Sequence, residues 1–193
     1  MNIEELSENL YDDLNGRILT VDYTDDLVID FLCDDWNDPE VSRHFRIICH
    51  GVKETEILPC VSGEVEFTSS HQLLWSYNEQ QGYLYYTSKP ESRYELLGRI
   101  WEAHEKVLGD WRSLADFANT YDVGHAIAFC EGSNGLLARG PKPLMDIYKV
   151  AVDNYIHTNF VPSHTPEGGY KALVFDTCYV ICKSVAVEEV YPS

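Results

Sequence analysis

The amino-acid sequence predicts an α+β fold: an N-terminal helix, an antiparallel β-meander through the front half, and a helix-rich back half whose C-terminal strands rejoin a sheet. Three observations carry this expectation. Apolar residues recur at three- and four-residue spacing in 2–15, 90–108 and 141–157. Between 18 and 87 they recur mostly at every second residue. The period-two runs are short and are separated by polar or glycine-containing turns.

The first helix, 2–15, has Asn2 placed to cap it and Glu5 at the N3 position, an apolar stripe of Ile3, Leu6, Leu10 and Leu14, and Gly16 as its stop. Asp12 and Asp13 oppose the helix dipole at its far end. Strands follow at 18–23 and 27–33 around the turn Thr24-Asp25-Asp26, then at 42–50, 55–58 and 64–69. Leu73–Tyr77 and Tyr83–Thr87 flank Asn78-Glu79-Gln80-Gln81-Gly82, the pattern of a hairpin with a five-residue loop. Pro90 opens a helix to about Leu108, ended by Gly109, with Tyr94, Leu97, Trp101, His104 and Leu108 on its buried stripe. A short helix at 111–118 and a strand at His125–Cys130 come next. Pro141 and Pro143 start a helix to about His157 on the stripe Leu144, Ile147, Tyr148, Ala151, Val152 and Tyr155. Strands at 171–175 and 179–190 close the chain.

At 193 residues the chain fits one compact domain, 1–193, or two docked lobes: a strand-rich 1–89 and a helix-rich 90–193. A hydrophobic content of 45% is ample for a core. The longest apolar runs are a few residues, too short to span a membrane. The opening Met1-Asn2-Ile3-Glu4-Glu5 has neither region of a secretory signal. The six cysteines, at 33, 49, 60, 130, 178 and 182, sit mostly in apolar strand-like runs, which fits buried reduced thiols in a cytoplasmic protein. The formal charge is −18, and the first 40 residues hold 13 acids against one base, Arg17. Such a field repels nucleic acid and anionic membrane and favours a basic protein partner.

Candidate chemistry is sparse. The loop Asp34-Asp35-Trp36-Asn37-Asp38-Pro39-Glu40 sets oxygen-bearing side chains around a tryptophan, as a Ca²⁺ loop or an acidic contact surface would. An EF-hand begun at Asp35 needs Gly at 40 and Glu at 46, where Glu40 and Arg46 stand. Trp75, Tyr77, Tyr83 and Tyr85 form the aromatic surface of the expected hairpin, suited to core packing or to recognition. His104 lies on an apolar helical stripe, as a core histidine or as a proton-transfer residue lining a cleft. Gly124-His125-Ala126, opening an apolar run, resembles the histidine strand of papain-like cysteine hydrolases over about three residues. Those enzymes carry their nucleophile at the start of a buried helix, whereas Cys33, Cys49 and Cys60 fall in strand or turn contexts, so no family is assigned. The glycine-rich stretch 132–143, with Arg139 and Lys142, matches no phosphate-loop spacing and reads as a turn before a helix. Cys178 and Cys182, four apart in one strand, are about 13 Å from each other and share no chemistry. Without C-x-x-C, H-x-x-x-H or H-E-x-x-H, the sequence points to no metal and no cofactor.

The function expected from these features is non-catalytic protein binding, through an acidic and aromatic face made of Asp34, Asp35, Trp36, Asp38, Trp75, Tyr77, Tyr83 and Tyr85. Immunity proteins and nucleic-acid-mimicking inhibitors meet basic active sites with carboxylates on the same electrostatic plan. The alternatives are a small hydrolase or ligand-binding enzyme using His104, His125 and Cys130 in a cleft between lobes, and a structural or oligomerising domain, such as a homodimer.

Overall fold

A computed structural model of the chain describes residues 2–119 and 130–190. It is α+β, about 25% helix and 37% strand, with all its sheets antiparallel. The chain divides into two compact units. The first joins residues up to Leu74 to those from Gly169 onward, and the second is the contiguous segment Trp75–Gly168.

In the first unit, helix α1 (Ile3–Asn9) precedes two four-stranded sheets. One runs in the order β1 (Arg17–Tyr23), β2 (Leu27–Asp34), β3 (Ser42–His50), β11 (Ser184–Glu189). The other runs β4 (Glu54–Glu56), β10 (Cys178–Cys182), β9 (Lys171–Phe175), β5 (Glu66–Thr68). Strand β2 alternates as its sequence demands: Leu27, Ile29, Phe31 and Cys33 are buried, and the residues between them are half-buried. Both sheets and α1 feed one core, where Phe31 meets Phe175 at a ring separation of 6.0 Å. Each fully buried Leu, Ile or Phe there contributes about 1.5–3 kcal/mol.

The expected helix 2–15 is shorter. Asn2 caps it as anticipated, accepting from the Glu5 N–H at 2.7 Å. It ends at Asn9, and a 3₁₀ turn at Asp12–Leu14 carries the chain to a left-handed Asn15. The last turn carries no base, and the acidic run after it offers nothing to offset the dipole. Leu10 and Leu14 are buried all the same, delivered by the turn instead of the helix. The expected strand 179–190 is two strands. The chain leaves one sheet at Cys182 and enters the other at Ser184, with Lys183 between them.

The second unit is a three-stranded sheet in the order β7 (Gly135–Pro141), β6 (Gln81–Tyr86), β8 (Thr158–Pro162). Helix α4 (Lys142–Val152) packs on it, and α3 (Arg93–Glu105) packs on α4. Strand β6 is not half of a hairpin. Residues 72–74 form a 3₁₀ turn and Trp75–Asn78 the short helix α2. The Gln81 amide then donates to the carbonyls of Trp75 and Glu79. This spends the chain of 75–80 on a helical turn, and β6 pairs with distant strands instead. Both partners read as turns in the sequence because of Gly135, Gly140, Pro141 and Pro162. In the fold Gly140 lies opposite Gly82, and each proline closes its strand.

Helix α3 starts later and faces differently than its sequence predicts. Ser92 caps it, accepting from the Glu95 N–H at 3.3 Å. Its buried face is Leu96, Ile100 and His104. Tyr94 and Trp101, expected in the core, are 67% and 54% exposed. The two stripes share His104, but the buried face turns from there toward Leu96 and Ile100, away from the side the aromatic residues marked. In α4 the expected Leu144, Tyr148 and Val152 are buried, joined by Met145. The segment expected to be helical at 111–118 is two 3₁₀ turns, at Gly109–Trp111 and Leu114–Asp116. The expected strand His125–Cys130 lies outside the described residues except for Cys130.

Candidate functional site

The charge is not shared evenly. Residues 1–74 with 169–193 hold 20 acids and six bases, a formal −14, whereas 75–168 holds 12 acids and eight bases, −4. Most of the first unit's bases are already engaged. Arg43 makes a two-pronged bond to Glu189, both contacts 2.9 Å, and lies 3.5 Å from Asp35. Arg46 lies 3.4 Å from Asp30. Lys171 sits over the Phe67 ring and Lys183 over Tyr170. Strand register explains the Asp30 contacts: Thr20, Asp30, Arg46 and Glu188 form one row across four strands. Thr20 donates to Asp30 at 2.9 Å. By contrast Glu4, Glu5, Glu8, Asp22, Asp25, Asp38 and Glu40 are exposed and form no ion pair with a described residue.

The acidic loop is largely held by its own bonds. Asp34 accepts from the Asn15 amide at 2.6 Å. Asp35 accepts the backbone N–H groups of Asn37 and Asp38. Those bonds, the Asn37 one above all, hold its carboxyl below the usual carboxylate range, with Arg43 adding to them. Trp36 is half-buried, stacked on Phe45 at 6.4 Å with the Arg43 guanidinium 4.0 Å from its ring centre. Asp38 and Glu40 are the carboxylates this loop leaves exposed. Among the described residues no three His, Cys, Asp or Glu side chains converge as metal ligands.

The second unit carries the tyrosine surface. Tyr83 and Tyr85, two apart on β6, share the sheet face opposite the helices, with ring centres 6.3 Å apart and exposures of 39% and 37%. Arg139 and Val161 flank Tyr83 on the neighbouring strands. Trp75 and Tyr77 are not on this face. They lie on α2, where Trp75 packs against the unit's core. At the end of the tyrosine face a cleft of about 270 Å³ opens among Tyr83, Arg139, Asp116, Ser163 and His164. Arg139 is exposed and has no ion pair with a described residue. Sequence reading passed over Ser163 and His164. The Pro162-Ser163-His164 segment carries no periodicity, and only the β6–β8 pairing brings it beside Tyr83.

Of the residues expected for catalysis, His104 and Cys130 are described, and each is buried with polar partners of its own. His104 is fully buried, and both its ring nitrogens are occupied. Nδ1 lies 2.7 Å from the Tyr148 hydroxyl and Nε2 lies 2.6 Å from the Arg112 carbonyl. A carbonyl can only accept, so Nε2 carries a hydrogen. Burial pushes the Tyr148 phenol up. Cys130 is buried and shares a hydrogen bond with the Tyr86 hydroxyl, and burial pushes its thiol up to about 12, away from nucleophilic use. His125 lies outside the described residues.

All six cysteines are free. Four of them meet in pairs that the sequence does not reveal. Cys60 and Cys178 lie 3.6 Å apart, sulfur to sulfur. Cys49 and Cys182 share a thiol hydrogen bond inside the core, where it and burial hold Cys49 protonated. The two ends of β10 thus have separate cysteine partners.

Fold and surface together describe an α+β protein with one strongly acidic unit and one unit bearing an open tyrosine face. Comparison with family models, with curated proteins and with solved structures finds no match. Among the described residues no helix is long and apolar enough to cross a membrane.

Proposed function

We propose that this protein is a non-catalytic binding module whose first unit presents carboxylates to a basic protein partner in the cytoplasm. The observation that carries the reading is the surplus of exposed carboxylates without an ion pair among the described residues, on a unit where Arg43 and Arg46 are engaged internally. Carboxylates left without partners repel one another, and a basic surface relieves that repulsion on contact. Partner capture followed by surface plasmon resonance tests it. Association should slow steeply between about 0.05 and 0.5 M salt, because the screening length falls below 10 Å over that range. The combined variant Glu4→Gln, Glu5→Gln, Glu8→Gln, Asp22→Asn, Asp25→Asn should associate more slowly at low salt, with a flatter salt dependence. An unchanged rate and slope would remove the electrostatic basis of the proposal.

The cleft beside Tyr83 favours a second reading, a small-ligand site in the second unit. Arg139 there makes no ion pair with a described residue and can take a carboxylate or phosphate, with Ser163 and His164 near it. A thermal-shift screen of small organic acids and phosphate esters tests this, with Arg139→Ala expected to abolish any shift. No stabilisation across the screen would dismiss the ligand site. The same open face is where a homodimer would form, since the acidic unit repels its own copy. Sedimentation of Tyr83→Ser against the parent distinguishes that case.

A further inference from the structure

We propose that Cys60 and Cys178 are a redox modification site, closing to a reversible disulfide under a peroxide or a small-molecule disulfide such as oxidised glutathione. Their sulfurs are 3.6 Å apart although 118 residues separate them. Independent backbone bonds fix both sides. The Cys60 carbonyl accepts from the Ile18 N–H at 2.8 Å, and Arg17 bridges to Val61. Cys178 lies in β10 opposite Phe175, and Asp176, in the turn between them, accepts from the Gly63 N–H at 3.1 Å. The thiols therefore meet without any rearrangement of the backbone. Both are half-buried, open to a small oxidant. The other contacting pair, Cys49 and Cys182, is wholly buried and lacks that access. Cys33 and Cys130 are also buried.

The chemistry balances with hydrogen peroxide as oxidant. One sulfur, as thiolate, attacks a peroxide oxygen. The S–O bond forms, the O–O bond breaks, and the departing hydroxide takes a proton to leave as water. The second sulfur then attacks the resulting sulfenic acid. The S–S bond forms, the S–O bond breaks, and the hydroxide carries off the second thiol proton as another water. The two sulfurs lose two electrons and the peroxide gains them. With oxidised glutathione the same bond forms through a mixed disulfide and releases two reduced glutathione molecules. Burial and the neighbouring thiol push Cys60 up to about 11. The Cys60 thiolate is therefore scarce at neutral pH, and closure should speed up as the pH is raised. This describes slow closure under sustained oxidation, unlike a fast peroxide sensor.

The bond would enclose the whole of 75–168 in one covalent loop, and that gives a direct readout. The purified full chain is held with peroxide or oxidised glutathione, denatured, alkylated and mapped by mass spectrometry. Four alkylated cysteines are expected, at 33, 49, 130 and 182, with one cross-linked peptide pair joining 60 to 178. Limited proteolysis within 75–168 should leave the flanking pieces joined on a gel until reductant is added. The oxidised chain should also melt at a higher temperature than the reduced one. Cys60→Ser and Cys178→Ala should each abolish the cross-link. Six alkylated cysteines after prolonged oxidation, a cross-link mapped to another pair or between chains, or sulfinic acid at 60 and 178 without a cross-link would each overturn the assignment.

Discussion

His104 and Trp101 sit three residues apart on α3, and truncating each should have very unequal consequences. The sequence alone ranks Trp101 as the larger loss. In the fold His104 is fully buried while Trp101 is 54% exposed. His104→Ala removes two short hydrogen bonds, each a net contribution of about 1 kcal/mol. It leaves the Tyr148 hydroxyl and the Arg112 carbonyl without their partner. It also opens a void beside Phe117 and Tyr148, whose ring centres lie 5.9 and 6.2 Å from the imidazole. Together these should cost about 3–5 kcal/mol. Trp101→Ala gives up part of a burial that is already only partial, and alanine's better helix propensity offsets some of that. Its cost should be about 0.5–1 kcal/mol. His104→Phe separates the two contributions to the first figure: it refills the space, leaves both polar partners unanswered, and should cost about 2–3 kcal/mol. Urea unfolding followed by far-ultraviolet circular dichroism measures all three. If Trp101→Ala is the more damaging, or if His104→Ala lies within about 0.5 kcal/mol of the parent, the assignment of α3's buried face is wrong.

Two further outcomes are expected. Arg43→Ala breaks the two-pronged bond to Glu189 and uncovers Trp36. It should cost about 2–3 kcal/mol and shift Trp36 emission to the red, and a double-mutant cycle with Glu189→Gln should show positive coupling; additivity would mean that the pair contributes nothing. Burial holds His71 below its ordinary pKa, only partly opposed by Glu66, and its Nδ1 accepts from the Leu73 N–H while unprotonated. Its folded pKa thus lies below the unfolded one, so the contribution is complete above the unfolded value of about 6.5 and is lost as pH falls through the depressed folded value. Melting temperature should drop on mild acidification less steeply in His71→Gln than in the parent; parallel pH profiles would exclude His71 as the cause.

What the sequence made legible follows from range. Strands β2, β3 and β9 could be read because each alternates or concentrates apolar residues against one core. Strands β7 and β8 could not, because Gly140 and Pro162 are acceptable only where a specific neighbour or a strand end receives them. Tyr83 and Tyr85 share a face by local geometry alone, yet the Arg139 and Val161 beside them come from distant pairing. The acidic block was visible as composition. Which carboxylates stay unpaired was not, since Arg43 reaches Glu189 across 146 residues. Trp36 illustrates the same limit: its loop was evident, while its stack on Phe45 under Arg43 depends on the β2–β3 register.

The insertion of 75–168 into the first unit sets an order of assembly. As the chain is made, β1, β2 and β3 exist long before β11, and β4 and β5 wait for β9 and β10. Through that interval β3 keeps one bare edge, and two short strands have no sheet to join, the state in which chains most readily stick to one another. The second unit is contiguous and can complete its contacts in the meantime. The segment that waits longest is also the one that carries 13 carboxylates in its first 40 residues. Like charge on that segment makes neighbouring nascent chains repel each other at this stage, which opposes edge-to-edge pairing of the unfinished sheet.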